Sequence, residues 1–201
     1  MDYFATKRNS TIFISLLAIL TALTTVTTIM FTIPFPSTQG YFNLGDAFVM
    51  LSGFLLGPVG GFIAGGVGSA TADLIVAPVY APVTFVTKGC EGMVMGWFSY
   101  RTKKNARISA WDLLGVILAS IVMLLGYLLG EVLFLGYIWE AAMLELITIN
   151  SIQVIVGSIV TITVGPAARV FLRTVVSEGP ANDTDEIDEL ETHSLDGNPT
   201  D

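Results

Sequence analysis

Histidine and cysteine are almost missing from this chain, and charge is scarce. The single cysteine, Cys90, excludes an intramolecular disulfide and a multi-cysteine metal site. In its apolar run it reads as a small buried hydrophobe. The single histidine, His193, lies in an acidic stretch, so residues 1–176 hold no imidazole for a His-based triad or a HExxH zinc site. That absence removes most familiar membrane hydrolases. There is no GxxxxGK[ST] run either, and the Gly60-Gly61 and Gly65-Gly66 clusters follow no strand pattern. The chain is therefore read as having no nucleotide site and no ATPase of its own, and no cofactor, metal or nucleic-acid partner is expected.

Charged residues make up 13% of the 201 positions, where a soluble domain carries about 25%, while 53% are hydrophobic. With a mean hydropathy of +0.72, the composition points to lipid as the solvent. The net charge of −8 belongs to a tail: residues 177–201 hold nine of the 17 acidic groups and no Lys or Arg. The remainder carries nine basic against eight acidic groups. A segment so acidic cannot bury enough apolar surface to offset its chain entropy. The domain reading is thus a membrane domain over 1–176 and a disordered acidic tail over 177–201.

A helix needs roughly 20 apolar residues to cross a bilayer. Residues 11–33 are uncharged and follow Lys7 and Arg8, a pattern shared with secretory signal peptides. The run is too long for one, and Pro34-Phe35-Pro36 follows in place of a small-residue cleavage site, so a retained first helix is expected. The block 46–74 reads as two helices because Gly57-Pro58 and Gly60-Gly61 force a reversal. Pro78 and Pro82 break the chain before a fourth helix at about 83–100. A fifth is expected at about 113–137 and a sixth at about 146–172. With the N-terminus inside, every basic residue except Lys88 falls on the cytoplasmic side. The fold expected is an all-α polytopic membrane protein with six transmembrane helices and both ends in the cytoplasm.

Ionisable groups at membrane depth are expensive, so the few present are functional candidates. Lys88 and Glu91, three apart, share one helical face. They read either as an internal ion pair or as a substrate-binding pair. Tyr127 and Glu131 share a face of the fifth helix, and Glu131 either lines a site or reaches outer water. Asn150, Gln153 and Gly157 form an amide stripe that serves a ligand or bonds neighbouring helices. Asp46 stands where a carboxylate can cap a helix. Asp73 closes its helix near the surface or faces the same cavity as Lys88. All these positions fall in the outer half, under the 34–45 loop. The stripes Gly61, Gly65, Gly68, Ser69, Ala72 and Gly89, Gly92, Gly96 suit close helix contact.

These residues occur in a familiar order. Tyr41-Phe42-Asn43-Leu44-Gly45-Asp46, Leu56-Gly57-Pro58, Gly65-Gly66-Val67-Gly68-Ser69-Ala70-Thr71-Ala72-Asp73, Ala81-Pro82 and Lys88-Gly89-Cys90-Glu91-Gly92 together resemble the substrate-specificity (S) components of energy-coupling-factor (ECF) transporters. The riboflavin-type group is the most similar. The resemblance covers about 10–175 in span count and about 41–97 in motif. Ala18 and Ala22, one helical turn apart, look like the small-residue patch by which S components dock on their coupling subunit.

The resemblance implies a six-helix S-component-like bundle in the cell membrane that binds a vitamin or related small molecule, riboflavin-type, a thiamine precursor or another B vitamin. It implies partnership with a transmembrane coupling subunit and two cytoplasmic ATPases. The substrate-binding residues expected are Asn43, Asp46, Asp73, Lys88, Glu91, Glu131, Asn150 and Gln153, with docking through Ala18 and Ala22. Three other readings stand beside it. A solitary carrier or channel calls for inverted repeats, and the Gly-rich 57–73 segment has no counterpart in the second half. A membrane enzyme built on Asp46, Asp73, Glu91 or Glu131 calls for a catalytic spacing that is absent. A purely structural subunit leaves Lys88 and Glu91 as a pair without a ligand.

Overall fold

Ile33 precedes a proline, which disfavours helical dihedrals at that position and ends the first helix early. In the computed structural model, which describes residues 7–35, 40–102 and 107–177 and side chains from 11 to 174 within them, helix α1 spans Lys7–Met30. Ile33–Pro34 (β1) then pairs antiparallel with Tyr41–Phe42 (β2), Ile33 opposite Phe42. The helix expected over 11–33 therefore stops at Met30. The expectation of an all-helical chain missed this two-residue ribbon, which carries Tyr41 and leads into Asn43.

Helix α2, Gly45–Val76, consists of two arms that meet at Gly57 (φ 82°, ψ −169°). That region of dihedral space is essentially open to glycine alone, and Pro58 follows as the second arm begins. The reversal read from Gly57-Pro58 lies there. Helix α3 is Ala81–Tyr100, with Pro82 in its first turn, where a missing N–H costs nothing. Helix α4 runs over Ala110–Leu133; Ser109 N–H donates to Asp112 Oδ2 at 2.9 Å at its start. It ends before Gly136, whose φ of 71° turns the chain. The last stretch is α5, Trp139–Glu145, a π-helical turn at Leu146–Asn150, and α6, Ser151–Ser177. The fifth expected helix was thus drawn a few residues late at both ends, and the sixth began seven residues late. Lys103, Lys104, Gln39 and the acidic tail beyond Ser177, His193 included, lie outside the described residues.

Helices α2 and α3 form the centre. A Cβ at Gly61 would collide with the Gly92 carbonyl, and one at Gly92 with that of Gly61, so only glycine lets the two backbones meet there. Helix α1 packs on α2, with Thr25 Oγ1 donating to the Gly68 carbonyl at 2.8 Å. Among the described residues nothing covers its other face.

The burial pattern is inverted relative to a water-soluble protein. Thr24, Thr28, Ser52, Lys88, Glu91 and Glu131 are buried, while Ile14, Leu74, Ile117, Leu129 and Ile155 stand exposed. Four helical stretches, Thr11–Met30, Gly45–Val76, Ala110–Leu133 and Trp139–Thr174, are long and apolar enough to cross a membrane. Helix α3 is not among them, its apolar residues being interrupted by Lys88, Glu91 and three glycines. Long apolar helices with an outward apolar coat and an inward polar lining make this a membrane protein.

Candidate functional site

Two buried polar clusters occupy opposite ends of the bundle. At the end away from the ribbon, Arg169 of α6 pairs with Asp112 of α4 at 3.1 Å and donates to Ser99 Oγ at 2.7 Å. Its guanidinium lies 3.8 Å from the centre of the Phe54 ring. This set ties the Gly57 reversal of α2 to α3, α4 and α6 and leaves Arg169 inside the protein. The sequence reading had placed it in a cytoplasmic segment.

At the ribbon end, α2 and α3 bring three charged groups together. Lys88 donates to Asp46 and, at 3.0 Å, to Glu91 Oε2. All three are at most 2% exposed. Lys88 Nζ also lies 5.4 Å from the centre of the Tyr127 ring. The pair foreseen on one helical face is therefore a triad, and Asp46 is its third member. Asp46 makes no side-chain cap for α2; its carboxylate is turned into the bundle to meet Lys88.

Beside this triad lies a small polar cavity of about 20 Å³, partly open to solvent. The ribbon side contributes Gly40, Tyr41 and Asn43. Helices α2 and α3, with the turn between them, contribute Asp73, Tyr80 and Thr84. Tyr127 of α4 and then Glu145, Asn150 and Gln153 close the ring. Tyr41 donates its hydroxyl to Asp73 Oδ1. Burial, and then the Asp73 carboxylate, push the Tyr41 phenol well above its ordinary range. Burial does the same to Tyr80, followed by Glu145 and Glu131. Both phenols are therefore neutral donors at any physiological pH.

The amide stripe holds the ribbon in place. Asn43 N–H donates to Gln153 Oε1 at 3.1 Å, and Gln153 Nε2 donates to Asn150 Oδ1 at 3.2 Å. Asn43 Oδ1 in turn accepts from Gly45 N–H at 2.8 Å. Asn150 Nδ2, buried and lining the cavity, meets no acceptor among the described residues. Asn150 is also the last residue of the π-helical turn. Such turns recur at functional sites because one extra residue per turn re-aims the side chains around it.

Of the eight expected binding residues, Asn43, Asp73, Asn150 and Gln153 line this cavity. Asp46, Lys88 and Glu91 form the triad, and none of them contributes to the lining. Glu131 is fully buried and does not reach water. Its carboxyl faces that of Glu145. Gly157 packs against Asp46 rather than lining the cavity. Ala18 and Ala22 lie exposed on the face of α1 that no other element among the described residues covers. The sequence reading missed Tyr80, Thr84 and Glu145. Glu145 had a signal: it is a lone carboxyl in the apolar stretch 141–149, five residues before Asn150. A helix started at 146 left it in a loop.

Comparison with known proteins gives two matches. The model of the family described as "ECF-type riboflavin transporter, S component" matches residues 8–169. A protein of Pyrococcus woesei, described as an uncharacterized protein in the gap 3′ region, is 52% identical over 103 residues. The match covers 51% of this chain and 67% of that protein.

Proposed function

The chain belongs to the family of ECF-type riboflavin transporter S components, and from that premise we propose that it captures a vitamin-like small molecule for import. The observation that carries the reading is a polar cavity roofed by the ribbon, inside a helix bundle whose outer face is apolar. A membrane-embedded binding subunit needs that combination, because the ligand must be held away from lipid. The family consists of substrate-binding components of transporters, so the chain is read as a binder and not as an enzyme.

In the proposed arrangement α1, the two arms of α2, α3, α4 and the continuous 139–177 segment make six crossings, with both ends in the cytoplasm. Eight of the nine basic residues would then lie on the cytoplasmic side. The cavity faces outward, with Asn43, Asp73, Asn150 and Gln153 touching the ligand. Asp46, Lys88 and Glu91 hold α2 against α3 directly beneath it, and Glu131 stands behind Glu145. Energy comes from two cytoplasmic ATPases through a transmembrane coupling subunit. That subunit docks on the free face of α1, where Ala18 and Ala22 let another backbone approach closely.

The test replaces Ala18 and Ala22 together with Trp. Ligand uptake by cells expressing the complete transporter should be lost, and the purified coupling module should no longer retain the variant. Ligand binding to the isolated variant should stay within about twofold of wild type, since a change on a surface remote from the cavity rarely shifts stability by more than ~0.5 kcal/mol. Uptake at the wild-type rate in that variant would refute the docking surface.

A further inference from the structure

We propose that a cleft at the end of the bundle away from the ribbon holds the headgroup of an anionic phospholipid, with its phosphate on Arg101 and an acyl chain along the outer face of α3. The site stands on the membrane character of the chain and on no reading of the transported ligand.

The cleft is shaped by a close backbone contact. A Cβ at Gly96 of α3 would strike the Gly57 and Pro58 backbone, so α3 lies directly on the reversal of α2, and the Tyr100 ring packs against Gly57. Beside this contact is an open cleft of about 310 Å³ lined by Pro58, Trp97, Tyr100 and Arg101. Arg101, which ends α3, is held over aromatic faces. Its guanidinium lies 5.0 Å from the centre of the Trp111 ring and 5.8 Å from that of Phe98. Those two rings stack with centres 6.1 Å apart. Such contacts restrain the side chain without consuming its N–H donors. Among the described residues no carboxylate pairs with Arg101. Asp112, beside Trp111 in sequence, is taken by Arg169, Thr102 and the Ser109 N–H. A restrained planar guanidinium with no carboxylate partner matches the oxygens of a phosphate.

Charge and surface both commit the cleft to a lipid. The sequence 101–107 holds Arg101, Lys103, Lys104 and Arg107 and no acidic residue. A basic run directly beyond a membrane helix collects anionic headgroups. In the orientation proposed above this end meets the cytoplasmic leaflet, where those lipids concentrate. The cleft also opens onto an apolar surface. Val86, Met93 and Trp97 follow one face of α3 and are exposed, Trp97 at 58%, and Val59 is exposed beside Pro58. Trp97, Tyr100 and Trp111, all exposed, cluster at this end of the bundle as aromatic residues do at a membrane–water interface. A soluble anion would use the guanidinium and leave the apolar track uncovered. A phospholipid covers both.

The experiment uses the full-length chain with Trp139→Phe, which leaves Trp97 and Trp111 as fluorophores, both at the cleft. It is reconstituted into phosphatidylcholine vesicles containing a rising fraction of lipid brominated on its acyl chains, either phosphatidylglycerol or phosphatidylcholine. Brominated phosphatidylglycerol should quench at a mole fraction about fivefold lower, the preference that one basic residue beside anionic lipid supplies. Arg101→Gln should abolish that preference, and an excess of inorganic phosphate should leave the quenching unchanged. Equal quenching by the two lipids would overturn the proposal. A loss shared equally among Arg101→Gln, Lys104→Gln and Arg107→Gln would also overturn it, by showing a diffuse attraction to the basic segment. Displacement of the brominated lipid by inorganic phosphate would make the cleft a site for soluble anions. An Arg101→Gln variant that keeps the lipid preference but is no longer retained by the coupling module would assign the cleft to a protein partner. The two lipids are compared before any change at Arg101, so a variant that fails to fold leaves the test standing.

Discussion

Lys88→Met is the perturbation that most directly tests how this bundle is held together. Its ammonium serves two carboxylates from two elements, Asp46 of α2 and Glu91 of α3, all buried. Removing one partner of a buried ion pair costs about 3–5 kcal/mol, because the other charge is left uncompensated. Here two carboxylates are stranded, so the single variant should lose at least that much, or about two to four powers of ten in the unfolding equilibrium. Neutralising the charges together should recover most of the loss, since a buried ion group is often replaceable by uncharged residues of similar volume. The informative partner is therefore the triple variant Lys88→Met, Asp46→Asn, Glu91→Gln. The double variant Lys88→Met, Glu91→Gln still leaves Asp46 buried without its cation, and it should fall between the other two. The assay is reversible unfolding in mixed micelles, followed by circular dichroism as the denaturing detergent fraction is raised. A single variant as stable as wild type would refute the reasoning. A triple variant no more stable than the single one would show that Lys88 acts through packing and not through charge.

Gly61→Leu should lose at least about 1–3 kcal/mol in the same assay, the range for overpacking a closed core, because its side chain would meet the Gly92 backbone. Val67→Leu, on the exposed side of the same arm, should stay within about 0.5 kcal/mol. Arg169→Met should cost about 3–5 kcal/mol by stranding Asp112, and adding Asp112→Asn should recover part of it; an Arg169→Met variant at full stability would show that this cluster carries no structural role. Reporters fused after Tyr100 and after Arg173 should read cytoplasmic and one near Gln39 external, because the basic residues sort to one side. An external reading at Arg173 would sink the six-span arrangement.

The parts of the fold legible in the sequence were those set by backbone chemistry. Gly57-Pro58 marks the reversal in α2, since that pair combines a residue free to take φ 82° with one that cannot continue the first arm. Gly61 and Gly65, with the stripe at 89–96, mark the α2–α3 contact for the same reason, and Gly68 marks the contact with α1: a missing Cβ is a local fact with a fixed consequence. Helix ends were less legible. Pro34 restricts Ile33 locally, but the stop at Met30, ahead of both, accompanies their pairing with a second short segment eight residues on. A contact between two distant pieces of loop leaves no periodicity. The last helical stretch starts at Trp139, before the apolar run that set the expected start at about 146, because its first turns carry Glu140 and Glu145.

The site divides along a similar line. Rarity in an apolar background was enough to find Asp73, Asn150 and Gln153, since each such group at membrane depth needs a reason; Asn43 came only from the resemblance, and Glu145 was missed. Rarity could not say which groups would meet. Asp46 and Lys88 are 42 positions apart, and Tyr41 and Asp73 are 32 apart. Their pairing depends on the Gly57 reversal returning the second arm of α2 to the level of its first, and on α3 lying along both. Neither alternative read for Lys88 and Glu91, an internal ion pair or a substrate-binding pair, included Asp46 as a partner. Spacing along one helix reports which residues share a face, and the carboxylate that completes the triad comes from the helix opposite. That division of labour leaves acidic, amide and aromatic side chains on the cavity wall, because Lys88, the cation at this end among the described residues, is held off it by Asp46 and Glu91. The chemistry offered to a ligand is thus decided by which charges the scaffold consumes, and here it consumes that of Lys88.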